Sequence, residues 1–419
     1  MKDINLIETI EGDPLFEAAR KRLSGKRYLL SAVVPYFQDD AGAIWLDPLW
    51  RHDLLAHLDY LDHLTVLAPM ARYDGQSDLE PLNLPKGRKL EFRALPFAES
   101  GKTAMLQLPR AIWSALKAVR AADIVHTGVA GWPVPQGLFV NPIAVMLRKP
   151  MVVVIESAFW RVADSANASR KARLRERLTE AFARWSIRKC KLAIFTHQKY
   201  RAELGANSKA RLEVHPASWV NDADVFAPDE ARVRWSGKAD TPKFLVAARL
   251  VPDKGIPVLL EALHQLEASG EAIDLTIMGE GALKDECHQA AARFRQVRLT
   301  VKAPLPYGAP FFEELARYHA IVVPSVSDEQ PRILFDAFAR AVPALASDTD
   351  GHQDLVEPQR TGALFPAGDP AALAKMLVRY RDRPDDLDTM GLTALEQASG
   401  HTHRAMHAKR AGILAELFA

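Results

Sequence analysis

The sequence predicts an α/β fold: two Rossmann-like, doubly wound domains facing a central cleft. Three observations carry that expectation. Short apolar runs alternate with helical patterns from end to end. The alternation breaks once, at the polar stretch FAPDEARVRWSGKADTP (226–242), and then restarts. The chain has 419 residues, more than one hydrophobic core usually serves. Ligands of open α/β sheets sit beyond the carboxyl ends of the strands, so loops of both domains can face one cleft.

The elements follow in order. Apolar runs at 28–34, 64–67, 90–95, 123–126, 151–155, 192–195 and 212–215 read as strands, with amphipathic helices at 48–57, 108–120 and 168–191. After the polar stretch, strands are expected at 243–248, 274–278, 297–301, 320–323 and 344–346. Helices are expected at 256–267, 283–294, 310–318, 332–340, 371–380 and 393–418. The domains are then 1–225 and 226–395, with 396–419 a helix crossing back to the first domain.

Composition narrows the function classes. Fifty-four Lys and Arg against 52 Asp and Glu leave a net charge of +2, which gives no overall reason to bind nucleic acid. Cys190 and Cys287 are far apart and neither sits in a Cys-x-x-Cys pair, which excludes a disulfide framework or zinc ribbon and suggests a reducing compartment. The start is polar and acidic rather than signal-like. The charge-free stretch 124–147 contains Pro133, Pro135 and Pro142 and reads as a loop and buried helix, not a membrane span. The expected location is cytoplasmic, with at most peripheral contact at the inner face of a membrane.

Two segments of the second half carry chemistry. The strand ending at Ala248 delivers Arg249, and Lys254 follows at a helix start, so two cations and backbone amides converge as a diphosphate site would require. Solvated loop charges are the competing account. Further on, PSVSDEQPRILFDA places Asp328 and Glu329 in a loop after a strand and Asp336 inside the next helix. These carboxylates can accept from sugar or ribose hydroxyls, and an acidic N-cap is the alternative for the first two.

Together these segments resemble retaining glycosyltransferases of the GT-B fold, specifically glycosyltransferase family 4. The resemblance runs from about Phe244 to Leu377, through AARLVPDKGIPVLLEAL, LTIMGEGALKDE, AIVVPSVSDEQPRILFDAFARAVPALASDTDGHQDLV and TGALFPAGDPAALAKML. It implies a donor-side second domain in which Arg249 and Lys254 hold the donor diphosphate. Gly279, Arg332, Ile333, Leu334 and Asp336 would complete the donor site. The family's E-x7-E pair is matched by Asp328 and Asp336, the first on the transferred sugar and the second on the ribose, and Glu329 can stand in for the first. The first domain becomes the acceptor side. Gly42, in PYFQDDAG, stands where the family has its glycine-rich acceptor and phosphate loop, and His126 in DIVHTG matches a strand-end His lining the cleft. No cofactor or metal is implied. The partners are a nucleotide-sugar donor and a glycan or lipid-linked saccharide acceptor. A non-catalytic sugar-nucleotide binding protein and a GT-B epimerase remain alternatives, kept open by the Asp substitutions and the single glycine of the loop.

Four further patterns have blander readings. Ser100-Gly101-Lys102-Thr103 ends like a phosphate-binding loop, but Pro96 occupies the first glycine position. Asp348-Thr349-Asp350 reads as a turn rather than a metal motif. His401, His403 and His407 read as scattered residues of an exposed terminal helix, although His403 and His407 share a face. Finally, 168–191 carries nine basic residues and an apolar stripe of Leu174, Leu178, Ala181, Phe182 and Trp185. Packing on the sheet is expected to claim that stripe, leaving an electrostatic attraction to anionic membrane.

Overall fold

A computed structural model describes residues 13–84, 87–131, 134–158, 160–161, 169–327 and 330–419. It divides into two compact units, one of 13–215 with 406–419 and one of 216–405. Each is a helix-flanked sheet built mainly from parallel strands.

The first unit contains α1 (Pro14–Leu23), β1 (Arg27–Ser31), β2 (Tyr36–Gln38), β3 (Ile44–Leu46), α2 (Pro48–His57), β4 (His63–Arg72), β5 (Glu80–Pro81) and β6 (Lys89–Pro96). It continues with α3 (Gly101–Ala121), β7 (Ile124–Gly128), α4 (Gly137–Met146), β8 (Met151–Ile155), α5 (Arg170–Lys189), β9 (Leu192–Phe195), α6 (Gln198–Leu204) and β10 (Arg211–Val214). The parallel strands run β6-β4-β1-β7-β8-β9-β10, so the chain reverses its direction of travel between β1 and β7. Alternation sorts the strand side chains between two cores. Tyr28, Leu30 and Ile124 face one layer with α1 and α2, whereas Leu29, Val125 and Val153 face α3, α4 and α5. Expected strand 28–34 stops at Ser31, and the unforeseen β2 and β3 form an antiparallel hairpin.

The second unit holds α7 (Pro228–Ser236), β11 (Lys243–Ala247), α8 (Ile256–Ser269), β12 (Ile273–Met278), α9 (Lys284–Arg293), β13 (Val297–Lys302), α10 (Ala309–Leu315) and β14 (Ala320–Val323). It continues with α11 (Ile333–Ala339), β15 (Ala344–Ser347), α12 (Asp350–Gln353), β16 (Gly362–Phe365), α13 (Pro370–Arg381) and α14 (Pro384–Ala398). Strand order β13-β12-β11-β14-β15-β16, all parallel, is the doubly wound order with its switch point between β11 and β14. Its inner strands are almost uniformly apolar because helices cover both faces, whereas the edge strand β13 alternates buried and exposed residues.

Two expectations are corrected here. The stretch 226–242 is not a loop throughout. Pro228 opens α7, and Ala231 and Trp235, one turn apart, enter the core, where Trp235 Nε1 donates to the Ala341 carbonyl (2.8 Å). The terminal histidines are not on an exposed helix. In α15 (His403–Phe418) His403 and His407 are buried, and Ala411, Ile413, Leu414 and Phe418 join the first unit's core. The apolar residues among the charges suffice to bury one face.

Candidate functional site

The described residues among those expected on the donor side lie at the switch point of the second unit, where the loops after β11, β12 and β14 leave the sheet. Glycines let these loops touch. Gly255 adopts φ +73°, and a Cβ there would lie 1.8 Å from the Pro324 carbonyl oxygen. A Cβ on buried Gly279 would lie 1.9 Å from the Ala248 oxygen. Hydrogen bonds from Ala248 N to Met278 O (3.2 Å), Leu250 N to Glu280 O (2.8 Å) and Val326 N to Asp253 O (3.1 Å) fasten the three loops together. The expected Gly279 is thus a spacer that allows the first loop to close on the second.

On this frame Arg249 is exposed, and among the described residues no carboxylate pairs with it. Lys254 is only 18% exposed, with Asp253 Oδ2 at 3.8 Å. Arg332 precedes α11, exposed, its guanidinium 5.5 Å from the Trp219 ring. Ile333 is half-buried and Leu334 is fully buried in the core. Asp328 and Glu329 lie outside the described residues.

Asp336 is the chemically unusual group. The first turn of α11 carries it inward until it is 6% exposed, and Tyr307 Oη donates to its Oδ1 at 2.8 Å. Burial pushes its pKa up to about 7, although Tyr307 and Arg332 both work in the opposite direction. Burial likewise raises the Tyr307 hydroxyl, so it remains a donor. Tyr307 was not foreseen: it lies in the loop before α10, and no spacing rule links it to a residue 29 positions on.

His352 also went unnoticed beside the Asp348-Thr349-Asp350 pattern. It is fully buried in α12, and its Nδ1 donates to the Ser347 carbonyl (2.7 Å). Nε2, which then carries the lone pair, is buried and has no hydrogen-bond partner among the described residues. Burial and the nearby Lys254 charge push its pKa down to about 4, so the ring is neutral near pH 7. Asp348 accepts from Ala367 N (2.8 Å), Thr349 stands at the N-cap position of α12 without a side-chain capping bond, and Asp350 opens that helix, so only the first two residues of the pattern are loop.

The first unit places its two expected residues differently. Gly42 (φ +85°) belongs to the turn joining β2 to β3, not to a phosphate loop. Asp39 Oδ1 accepts from Ala41 N (3.0 Å) and Ala43 N (2.8 Å), and Asp39 Oδ2 from Trp45 Nε1 (3.1 Å). An internal carboxylate thus occupies two amide donors of this turn, and Gly42 shapes the β2–β3 hairpin. His126 is 7% exposed, and its Nδ1 accepts from the Tyr28 hydroxyl (3.0 Å). Burial, with the charge of Arg410 adding, holds its pKa well below the ordinary value. It is a neutral core imidazole.

His126 borders a polar cluster inside this unit. His57 Nδ1 donates to the Asp53 carbonyl (2.8 Å), and its Nε2 accepts from Arg410 Nη1 (3.1 Å). His407 Nε2 donates to Asp53 Oδ1 (3.0 Å), while its Nδ1 takes the Tyr60 hydroxyl (3.3 Å). One ligand atom each from Asp53, His57 and His407 lies within 4.8 Å of the others, a spacing that suits a metal ion. Both nitrogens of both rings are already engaged, however, and a cation would have to displace a guanidinium. Ser100, Gly101, Lys102 and Thr103 form a capping box at the start of α3, with Thr103 N donating to Ser100 Oγ (3.3 Å).

Residues 241–382 match the family described as glycosyl transferases group 1, so the second unit carries a domain of that type. The chain is 25% identical over 286 residues to alpha-D-kanosaminyltransferase of Streptomyces kanamyceticus, covering 65% of this chain and 72% of that one. It is 32% identical over 178 residues to GDP-mannose-dependent alpha-mannosyltransferase of Mycobacterium tuberculosis, covering 39% and 43%. Similar solved structures include sucrose-phosphate synthase of Thermosynechococcus elongatus, with TM-score 0.69, 18% identity, and 94% and 99% of the two chains covered. Anabaena Alr3699/HepE in complex with UDP gives TM-score 0.64 at 17% identity, covering 93% and 100%. At these identities the likeness is one of fold, two Rossmann-like α/β domains of the GT-B kind.

Proposed function

We propose that the chain is a retaining glycosyltransferase that moves a hexosyl or hexosaminyl group from a nucleoside-diphosphate sugar to an acceptor hydroxyl. A glycan or lipid-linked saccharide is the acceptor class in this reading. Its chief support is the constellation at the second unit's switch point: exposed Arg249, half-buried Lys254 and buried Asp336 held by Tyr307. The group 1 match over 241–382 and the UDP complex of a structural neighbour point the same way.

Each residue then has a task. As the glycosidic C–O bond to the donor breaks, negative charge grows on the departing diphosphate, and Arg249 and Lys254 stabilise it. The free oxygen of Asp336 accepts from the ribose diol, while Tyr307 holds the other oxygen still. Asp328 and Glu329 are assigned to the transferred sugar. The acceptor oxygen forms the new bond on the same face, and its proton passes to a donor phosphate oxygen, so no protein nucleophile is required. No cofactor enters this scheme.

The test is turnover with UDP-, GDP- and ADP-sugars and a panel of saccharide acceptors, with the product anomer read by NMR. Transfer with retention is expected. Nucleotide binding without transfer would leave a binding protein, and an isomerised sugar formed from donor alone would identify an epimerase.

A further inference from the structure

A helix that covers one face of a sheet needs one apolar stripe, with polar residues outside. Helix α3 has two. Its inner stripe, Ala115, Ala118 and Val119, packs on the sheet of the first unit. Its outer side carries Met105 (61% exposed), Leu106 (82%), Ile112 (39%) and Trp113 (58%), spaced to form a continuous band around Pro109. Helix α5, in the same layer, repeats the arrangement: Ala183 and Ile187 pack inward, while Leu174 (58%) and Leu178 (62%) face solvent. The sequence had assigned Leu174 and Leu178 to the packing stripe. The structure corrects this, since the inward positions fall one residue out of phase.

Charge singles out this face again. Helices α3 and α5 carry 12 Lys and Arg against two Glu, and α3 has no acid at all. The whole chain is only +2, so the rest of it is net negative. Exposed leucines beside arginines are costly in water, and contiguous patches of this kind mark interaction surfaces.

We propose that the outer face of the α3–α5 layer docks on an anionic lipid bilayer. Met105, Leu106, Trp113, Leu174 and Leu178 would enter the boundary between headgroups and acyl chains. The flanking Lys102, Arg110, Lys117 and the basic first half of α5 would meet the headgroup charge, their apolar stems lying along the same surface. Trp113, with Lys117 Nζ 5.1 Å from its ring, has the amphipathic character of an interfacial anchor. Nucleic acid would match the charge but would leave the leucines in water. The proposal goes beyond the donor-site reading and does not depend on it.

Co-sedimentation of the full chain with vesicles tests it, using phosphatidylcholine alone and an equal mixture with phosphatidylglycerol. Binding to the anionic vesicles is expected, weakening with added salt. The pairs Leu106→Glu/Trp113→Glu and Leu174→Glu/Leu178→Glu should each weaken it by about tenfold or more. So should the exposed pair Arg175→Glu/Arg177→Glu, whose side chains make no hydrogen bond or ion pair among the described residues and which therefore guards against a folding artefact. The circular dichroism spectrum and thermal unfolding transition of each variant, compared with the parent chain, serve as the fold control. Absence of pelleting at low salt, equal binding to neutral vesicles, or insensitivity to the leucine pairs would overturn the proposal. So would light scattering in which those pairs convert a dimer to a monomer, which would make the face a contact between copies.

Discussion

Replacing Tyr307 with Phe should shift the pH dependence of nucleotide binding without touching the nucleotide. The hydroxyl donates to Asp336 Oδ1 at 2.8 Å and favours the carboxylate, whose pKa burial has already raised to about 7. A hydrogen bond to a charged group is worth roughly 1.5–3 kcal/mol, or about one to two pKa units. At pH 7.5 the ionised fraction would fall from roughly three quarters to between about a quarter and a few per cent. If the ribose diol is bound by the ionised form, affinity at that pH drops about 3- to 25-fold and returns to within about twofold of wild type near pH 9.5. Calorimetric titration with UDP across pH 6–9.5 gives the two curves, and Asp336→Asn should bind weakly with no inflection near 7. Superimposable curves for wild type and Tyr307→Phe would refute the reasoning. The unliganded protein should respond in the opposite sense. Because the folded pKa lies above the unfolded value of 3.8, the stability from Asp336 is fully present below about pH 4 and is lost as pH rises through about 7.

Further outcomes are expected. Arg249→Ala and Lys254→Ala should each lower kcat/KM by roughly 2–4 kcal/mol of transition-state stabilisation, and near-wild-type turnover in both would remove the diphosphate assignment. Gly255→Ala forces a side chain into φ +73° and against the Pro324 oxygen. It should cost more than about 2 kcal/mol in denaturant unfolding of the second unit. Arg410→Met removes the cation held by Asp53, Tyr60 and His57, and should cost roughly 3–5 kcal/mol in the first unit. His215, His319 and His352 are lowered to about 3, 4 and 4, chiefly by burial, so their stabilisation is complete above pH 6.5. It should fade as pH falls toward 4, visible as an acid limb in the melting temperature.

The second unit was largely legible because its strands are covered on both faces and read as unbroken apolar runs, such as 320–323. Arg249, Lys254 and Asp336 could be picked out because loop and helix-start positions follow directly from those strands. Partners contributed by distant loops left no local trace. Tyr307 reaches Asp336 only through the fold, and His352 is defined by what surrounds it rather than by its neighbours in sequence. In the first unit a glycine count suggested a phosphate loop at Gly42, whereas the side chain of Asp39 decided the turn. In α5 the apolar residues were right but the inward face was mistaken. Composition gives the number of stripes, and only packing says which one touches the sheet.

The return of residues 406–419 to the first unit has a bearing on how the molecule is made. That unit is discontinuous: its chain departs at 215 and supplies Ala411, Leu414 and Phe418 to the core only after the whole second unit has been synthesised. On the ribosome, residues 216–405 can therefore close their own core while the earlier half still lacks its last helix. Until then the α1–α2 side of its sheet lacks part of its cover, and Asp53 and Tyr60 lack Arg410 and His407. A chain released short of residue 406 would keep a second unit with a complete core of its own and would present an unfinished first unit to chaperones and proteases, a form of quality control written into chain order.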